Sequence, residues 1–457
     1  MQDTILNTII KDKLDWIKNR KKKEPFEKIK NKINTKTRNF YNFLKNKSPF
    51  FILEYKRKSP SLGIIKKNFN LIQISHIYKK YASAVSVLTD EKYFGGDLKF
   101  INIVKNYVFQ PVLCKDFFID PYQVYLARFY NADAILLMLS VLNNEQYIIL
   151  SKIAKKLNMG ILTEINNIEE LNRAIELNAK IIGINNRNLH NLSIDLNRTK
   201  ILSALINDRI IISESGINQY SQIKELSKIV HGFLIGSHLM SKKNLEIGLK
   251  SLIFGHNKVC GLTQSIDIEA SSKYGAIYGG LIFAENSPRR ITKKIAKNII
   301  LDNNLRYVGV FQNQSINTIL NISNQLCLYA IQLHGDENQK YINLLKKQLP
   351  KNIKIWKVFS ITSKLPMLNW KNVDKYIFDS GSGGSNTSFD WSILKNHTFN
   401  NVILAGGINI KNCNIALKLN FFGLDLNSGV EKSPGIKDHN KIKLIFQELK
   451  FNKSFFI

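Results

Sequence analysis

Hydrophobic positions along this chain fall into short, β-branched runs separated by longer amphipathic stretches. The runs in the first half are FILEYK (51–56), AVSVLTD (84–90), PVLCKD (111–116), DAILLML (133–139), GILTE (160–164), KIIGINN (180–186), RIIISES (209–215) and GFLIG (232–236). The rhythm then starts again with KVCGL (258–262), IYGGLIF (277–283), RYVGVF (306–311), YAIQLHG (329–335), IKIWKVF (353–359), KYIFDSG (375–381), NVILAGG (401–407) and FFGLDLN (421–427). Runs of this kind predict strands buried on both faces of a parallel sheet, and the segments between them predict helices. Before the first run, Ile5, Leu6, Ile9, Ile10, Leu14 and Ile17 recur at helical spacing, so residues 1–48 are expected to form a basic helical extension.

Alternating βα units suit either an open doubly wound sheet or a closed barrel. Eight units in roughly 200 residues favour the (β/α)8 barrel. No G-x-G-x-x-G follows a strand where a dinucleotide-binding open sheet would need it. The expected fold is therefore α/β, two consecutive (β/α)8 TIM barrels, the first with an N-terminal helical extension. The domains are expected at 1–255 and 256–457, with the boundary near Phe254 to Asn257 and no long Pro/Gly linker. A length of 457 residues is too great for one ordinary core, which agrees.

Composition narrows the picture further. No run approaches the ~18 to 20 apolar residues of a membrane span, and the N-terminus lacks the apolar core of a secretory signal. Cys114, Cys260, Cys327 and Cys413 are scattered without CxxC spacing, which argues against a zinc site and a disulfide scaffold. A reducing cytoplasm is the expected location, without a membrane partner. The net charge of +31 raises a nucleic-acid reading. Its lysines, however, are spread along the chain, and the dense basic run at 18–23 continues the first helix. Phosphorylated small molecules are the expected partners, and nucleic acid is not.

Polar residues gather where the apolar runs end. Glu54 and Lys56 stand two apart, so strand alternation puts them on one face. The pair reads either as a salt-bridged strand terminus or as chemistry at the catalytic end of a parallel sheet. Lys115, Glu164, Asn185 with Arg187, and Ser215 end further strands in the same way. Together they predict an acid/base array whose members perturb one another's pKa values. SESG (213–216) and IGS (235–237) offer the backbone N–H groups of Ser215, Gly216, Gly236 and Ser237 where barrels bind phosphate. In the second half, Cys260 ends the first strand and Asp379 the sixth, with SPRR (287–290), QLHG (332–335), GGS (383–385), AGG (405–407) and LNSGVE (426–431) between and after them. An isolated cysteine is more often a small buried hydrophobe; opposite a strand-end aspartate and among Gly-rich loops, it reads as catalytic.

E-x-K-x-x-S-P-S-x-G at 54–63, VLTDEKYFGG at 87–96, PVLCKDF at 111–117, LTE at 162–164, GINNRNL at 183–189 and SESGI at 213–217 are in the order found in indole-3-glycerol phosphate synthases. Residues 1 to 255 resemble that family. The resemblance implies a carboxyphenylamino-deoxyribulose 5-phosphate substrate, closed to indole glycerol phosphate with loss of CO2 and water. It implies Lys115 as principal general acid and Glu164 as base. Lys56 and Glu54 would assist dehydration and orientation, and Ser59, Asn185, Arg187 and Ser215 would hold the substrate. Phe94 and Phe117 would wall the aromatic ring, the other reading being core phenylalanines. Leu62 departs from the lysine that relatives often carry.

Residues 256 to 457 resemble phosphoribosylanthranilate isomerase. That resemblance implies an Amadori rearrangement with Asp379 as acid and Cys260, as thiolate, as base. A free cysteine has a pKa of roughly 8.5, so the site is expected to depress it. Arg289 would hold the anthranilate carboxylate bidentately. His334 would contact substrate or be structural, and Gly384, Ser385, Gly406, Gly407, Asn427 and Ser428 would line the phosphate. Asn386 stands where relatives usually have glycine. The isomerase product is the synthase substrate, so the resemblance implies a bifunctional tryptophan-biosynthesis chain. No cofactor or metal is expected, and the chain is expected to be a monomer. The rival readings are an aldolase on the same fold, metal-dependent or with a Schiff base at Lys115, and a basic nucleic-acid-binding protein.

Overall fold

The computed structural model describes residues 5–45, 48–188, 191–300, 305–380, 389–395 and 397–450. It divides between Leu245 and Glu246 into two compact units. In the first unit, strands β1 (Phe50–Tyr55), β2 (Ala84–Leu88), β3 (Val112–Lys115), β4 (Ala134–Met138), β5 (Gly160–Ile165), β6 (Ile181–Asn185), β7 (Ile210–Glu214) and β8 (Gly232–Ile235) form a closed barrel. All neighbours are parallel, and β8 pairs with β1 at Phe50↔Gly232 through Leu53↔Ile235. Closure removes both sheet edges, so every strand is flanked on both sides, and the runs are apolar because both strand faces are covered. β1 and β5, for example, are buried at every position.

The extension begins with helix α1 (Ile5–Lys23). Leu6, Ile9 and Ile17 are buried on one stripe, while Arg20 to Lys23 make up its last turn. Further along, Phe40 and Leu44 enter the barrel's core cluster beside Phe50, Ile52, Leu162 and Leu234. Gly160 at the start of β5 is the corresponding notch, since a Cβ there would come within 2.5 Å of Phe40. Arg128 is 1% exposed and donates to the carbonyls of Asn34, Lys36 and Ala132, which fastens the extension to the barrel wall.

The second unit repeats the plan with β9 (Lys258–Val259), β10 (Tyr278–Ile282), β11 (Arg306–Phe311), β12 (Ala330–Leu333), β13 (Lys354–Ile361), β14 (Lys375–Ser380), β15 (Thr398–Leu404) and β16 (Asn420–Leu426). They too close a parallel barrel, β9 pairing with both β10 and β16. Tyr278, Val308, Ala330, Trp356, Ile377 and Ile403 form its core, joined by Ile247 from the helix Leu245–Ile253. A short antiparallel ribbon, Glu431–Ser433 with Ile436–Lys437, follows β16. Among the described residues no helix is long and apolar enough to cross a membrane.

Candidate active sites

Strand alternation delivers Glu54, at the end of β1, into the first barrel with 1% of its surface exposed. Its carboxylate is held by two lysines: Lys56 Nζ at 2.6 Å and Lys115 Nζ at 3.1 Å. Lys115 also faces Glu214 Oε2 at 3.6 Å, and Asn185 Nδ2 donates to Glu164 Oε1 at 3.0 Å. The structure thus brings together Glu54, Lys56, Lys115, Glu164 and Asn185 from β1, β3, β5 and β6. Two glycines make room for this. A Cβ on Gly183 would meet Glu214 Oε1 at 2.0 Å, and one on Gly236 would meet Glu54 Oε1 at 2.2 Å.

The charges perturb one another as the array predicts. Burial pushes the Glu54 carboxyl up, but Lys115 and Lys56 more than reverse this and hold it at about 2. Burial pushes Lys56 down, partly opposed by Glu54 and reinforced by Lys115. For Lys115 burial also works downward, yet Glu54, Glu214 and Glu164 together keep its ammonium well above the ordinary value. Burial raises both Glu164 and Glu214 against the pull of Lys115. Three carboxylates therefore share two ammoniums, and Glu164 and Glu214 are the two poised to carry a proton.

A cleft of about 110 Å³ adjoins the array. Lys56, Ser59, Phe94, Lys115, Phe117, Glu164, Asn185, Arg187, Ser215 and Ser237 all line it. Phe94 and Phe117 lie 6.2 Å apart as tilted rings, with Lys56 Nζ 5.9 Å from Phe94. Arg187 is braced by its Nη1 donating to Leu192 O at 2.9 Å. Ser215 and Gly216, just after β7, both have positive φ, 64° and 84°. Gly236 and Ser237 stand at the end of β8, where Ser237 Oγ lies 3.5 Å from Lys56 Nζ.

In the second barrel the acid and the thiol come from different strands and do not pair. Cys260 follows β9 and is 4% exposed; Asp379 lies in β14 and is 9% exposed. Both line a larger cavity of about 630 Å³, together with Arg289, His334, Gly406, Gly407, Asn427 and Ser428. Asp379 accepts the Ser380 N–H at 2.8 Å and has His334 Nε2 at 3.7 Å. Gly406 and Gly407 have φ of 87° and 62°, and a Cβ on Gly406 would meet Ser380 N at 2.7 Å. Gly384 and Ser385 lie outside the described residues.

Burial pushes Asp379 up to about 6, with the Asp425 charge adding to it and the Ser380 N–H and Lys258 opposing. Burial pushes His334 down to about 4, so its imidazole is neutral near pH 7. Burial also pushes the Cys260 thiol up, while Lys258 pulls it down. The thiol is therefore raised rather than depressed as the sequence suggested, because desolvation outweighs the pull of Lys258. Arg289 is engaged side-on by Glu431, its Nε at 2.9 Å from Oε1 and its Nη2 at 2.8 Å from Oε2. Its Nη1–Nη2 edge is the one left for a second carboxylate.

Residues 6–252 match the family described as indole-3-glycerol phosphate synthase, and residues 257–448 the family described as N-(5'phosphoribosyl)anthranilate (PRA) isomerase. A protein of Buchnera aphidicola subsp. Acyrthosiphon pisum (strain APS), named tryptophan biosynthesis protein TrpCF, is 70% identical over 452 residues, covering 99% of this chain and 100% of that protein. The protein of the same name from Yersinia pestis is 50% identical over 448 residues, covering 98% of this chain and 94% of that one. The chain belongs to the indole-3-glycerol phosphate synthase and phosphoribosylanthranilate isomerase families.

Several buried groups in the two barrels escape a reading of strand ends alone. In the synthase barrel, Glu214 sits inside SESG, where the glycine draws the eye to phosphate; its register opposite Asn185 is what turns it inward. Lys13 of α1 is 3% exposed and bridges Asp90 and Asp116 at 2.7 Å each. Asp90 caps the helix Glu91–Phe94, and Asp116 stands between Lys115 and Phe117, so this one ammonium ties α1 to both aromatic walls. Its signal was present: position 13 falls on the stripe of Leu6, Ile9 and Ile17. In the isomerase barrel Lys258, Asp425, Glu431 and Lys437 are buried and paired. Glu431 lies 142 residues from Arg289, a pairing that spacing alone cannot reveal.

Proposed function

We propose that the second barrel isomerises N-(5-phosphoribosyl)anthranilate and that the first closes the product to indole-3-glycerol phosphate. The observation that carries the proposal is the buried array of Glu54, Lys56, Lys115, Glu164 and Asn185 at the mouth of one barrel. The partition we propose is 1–255 for the synthase and 256–457 for the isomerase. The chain is proposed to act as a cytoplasmic monomer on phosphorylated small molecules.

In the isomerase, protonated Asp379 gives its proton to the ribose ring oxygen as the C1–O bond breaks, leaving an iminium at C1. The Cys260 thiolate takes the C2 proton. The C–H electrons form the C1–C2 double bond and the iminium pair returns to nitrogen. The enolamine then becomes the ketone. Arg289 presents its open edge to the anthranilate carboxylate, and Gly406, Gly407, Asn427 and Ser428, with Gly384 and Ser385, take the phosphate. His334, neutral, contacts the substrate beside Asp379.

In the synthase, ring closure places negative charge on the ketone oxygen, which Lys115 meets as proton donor. Loss of CO2 restores the aromatic ring. Lys56 protonates the departing hydroxyl, and Glu164, oriented by Asn185, removes the adjacent proton. Glu54 stays ionised and holds both lysines. Ser59 and Arg187 bind the substrate's polar groups, and Ser215, Gly216, Gly236 and Ser237 take the phosphate.

The test is to supply phosphoribosylanthranilate to the purified chain and follow indole glycerol phosphate by absorbance. Formation of the indole product is expected. No product from a folded chain would overturn the proposal. Borohydride with substrate should leave Lys115 unmodified, since no Schiff base is involved.

A further inference from the structure

Beneath Cys260 lies a charged pair that the isomerase steps above do not use. Lys258, two residues before Cys260 on β9, faces the barrel interior with it. It is 0% exposed and donates to Asp425 Oδ2 at 2.6 Å. Asp425 Oδ1 is buried with no hydrogen-bond partner. Taking an ammonium and a carboxylate out of water is costly, and a well-packed apolar pair often serves stability as well or better. Such a pair in a barrel core therefore calls for a use. Its position supplies one. A Cβ on Gly280 would lie 2.6 Å from Cys260 Sγ and 2.9 Å from Lys258 Cε, so the sulfur and the lysine stem crowd the same point. Only a glycine on β10 leaves them together.

We propose that Lys258 is a positioning residue of the isomerase: its ammonium, anchored by Asp425, donates to the Cys260 sulfur and stabilises the thiolate that accepts the substrate's C2 proton. This rests on reading Cys260 as the base. The charged groups around the sulfur are few. Lys258 is on its own strand, Asp425 on β16 and Lys437 on the ribbon, with Asp379 and His334 facing the same cavity. Lys437 is already committed to Glu431 at 2.7 Å and Asn427 at 3.1 Å. Lys258 is therefore the cation placed to offset the desolvation that pushes the thiol up. When Cys260 ionises, its proton leaves to water through the cavity, and the charge left on sulfur sits against the ammonium. Asp425 has the opposite sense on the sulfur, so its part is to fix the lysine rather than to activate the cysteine.

The experiment follows alkylation of Cys260 by iodoacetamide against pH in the full chain, read residue by residue by mass spectrometry. Exposed Cys327 is the internal reference. In Lys258→Met the midpoint should rise by about one pH unit or more, slowing alkylation at pH 7.5 by about tenfold. Lys258→Arg should restore part of the shift. Retained near-ultraviolet circular dichroism and binding of a reduced product analogue establish that the variant is folded. A folded Lys258→Met with the wild-type midpoint overturns the proposal. Should that variant not fold, Lys258→Gln decides: it removes the charge but keeps a polar side chain beside Asp425, so the midpoint should rise, and an unmoved midpoint overturns the proposal. The base reading is tested separately by turnover of Cys260→Ser, because the midpoint of the wild-type sulfur does not depend on what the sulfur does in catalysis.

Discussion

The two barrel mouths use the same strand ends under opposite electrostatics. In the synthase, acids and bases from adjoining strands are in contact, and Glu54 is clamped between Lys56 and Lys115. In the isomerase, Asp379 and Cys260 line a cavity several times larger, about 630 against 110 Å³. Burial acts on both sites, but with different results. Two ammoniums reverse it at Glu54, which is held at about 2 and is ionised at any working pH. At Asp379 the Ser380 N–H and Lys258 oppose it only in part, and the carboxyl rises to about 6. A carboxylate pinned so low can orient and stabilise charge but cannot shuttle protons near neutrality; one raised toward neutrality can. The crowded site suits a reaction with several charge movements in sequence. The sparse one suits a single donor and a single acceptor.

The largest effects should come from breaking the crowded array. Lys115→Ala removes the proposed donor and leaves Glu54 and Glu214 short of a counter-charge. Glu164→Gln removes the proposed base. Each should lower CO2 release by about 10³ to 10⁴-fold, near the upper end for general acid/base groups. Isomerase turnover should stay near wild type, since no residue of one array belongs to the other. Parallel assays of both reactions on each variant decide this; loss of both activities in a folded Lys115→Ala would overturn the two-site account.

Next in size are the isomerase pair. Cys260→Ser offers an unactivated hydroxyl as base, and Asp379→Asn an amide that cannot donate the proton. Losses of about 10² to 10⁴-fold are expected, with binding of a product analogue retained. Wild-type turnover in Cys260→Ser would return the cysteine to a packing role.

How much of this was legible beforehand depends on how far apart the partners are in sequence. The barrels were readable because each strand is a local run of Val, Ile, Leu and Phe between helix-sized segments. The contact of Glu54 with Lys56 was readable too, since alternation over two residues is local. Glu214 and Asp425 were not. A charged residue at an inward position looks no different in sequence from one that faces solvent, and strand register decides which it is. Lys13 was missed although its helical phase is that of its buried neighbours, because its ammonium is neutralised by Asp90 and Asp116, far along the chain. The depressed thiol expected at Cys260 came from the chemistry it must do; desolvation, a property of the folded cavity, was invisible.

A milder probe of the crowding is Gly183→Ala. The added Cβ would fall 2.0 Å from Glu214 Oε1, forcing that carboxylate away from Lys115. Displacement of about 1 Å can cost on the order of 10²-fold, so synthase turnover should fall by roughly ten- to a hundredfold. The isomerase should be unchanged. Full synthase activity in Gly183→Ala would mean that Glu214 has no part in the array.

Smaller still is the pH response of the sparse site. The active form carries its proton on Asp379 and none on Cys260, so kcat/KM should be bell-shaped between the two titrations even though the acid titrates first. The acid limb should lie near pH 6, where Asp379 is raised. Asp425→Asn removes a charge that raises both groups, so both limbs should move to lower pH, by less than about one unit. His334 is pushed to about 4 and should contribute no limb near 6. An acid limb that survives Asp425→Asn unmoved but disappears in His334→Asn would reassign it to the histidine.

The least effect on either turnover should come from cutting the chain. Each barrel closes on its own hydrogen bonds and has its own core, so two separately produced fragments should each keep their activity. Where the cut falls should show in stability instead. The helix Leu245–Ile253 precedes β9, yet its Ile247 packs in the second barrel's core and its Lys250 donates to Ser272 at 3.0 Å. A fragment starting at residue 256 loses these contacts, and one starting at 246 keeps them. Burying one isoleucine is worth about 1.5 to 3 kcal/mol, so the longer isomerase fragment should unfold at the higher denaturant concentration. Equal midpoints for the two fragments would mean that the helix adds nothing to the second barrel; fragments unfolded alone but active when mixed would mean that neither barrel is autonomous.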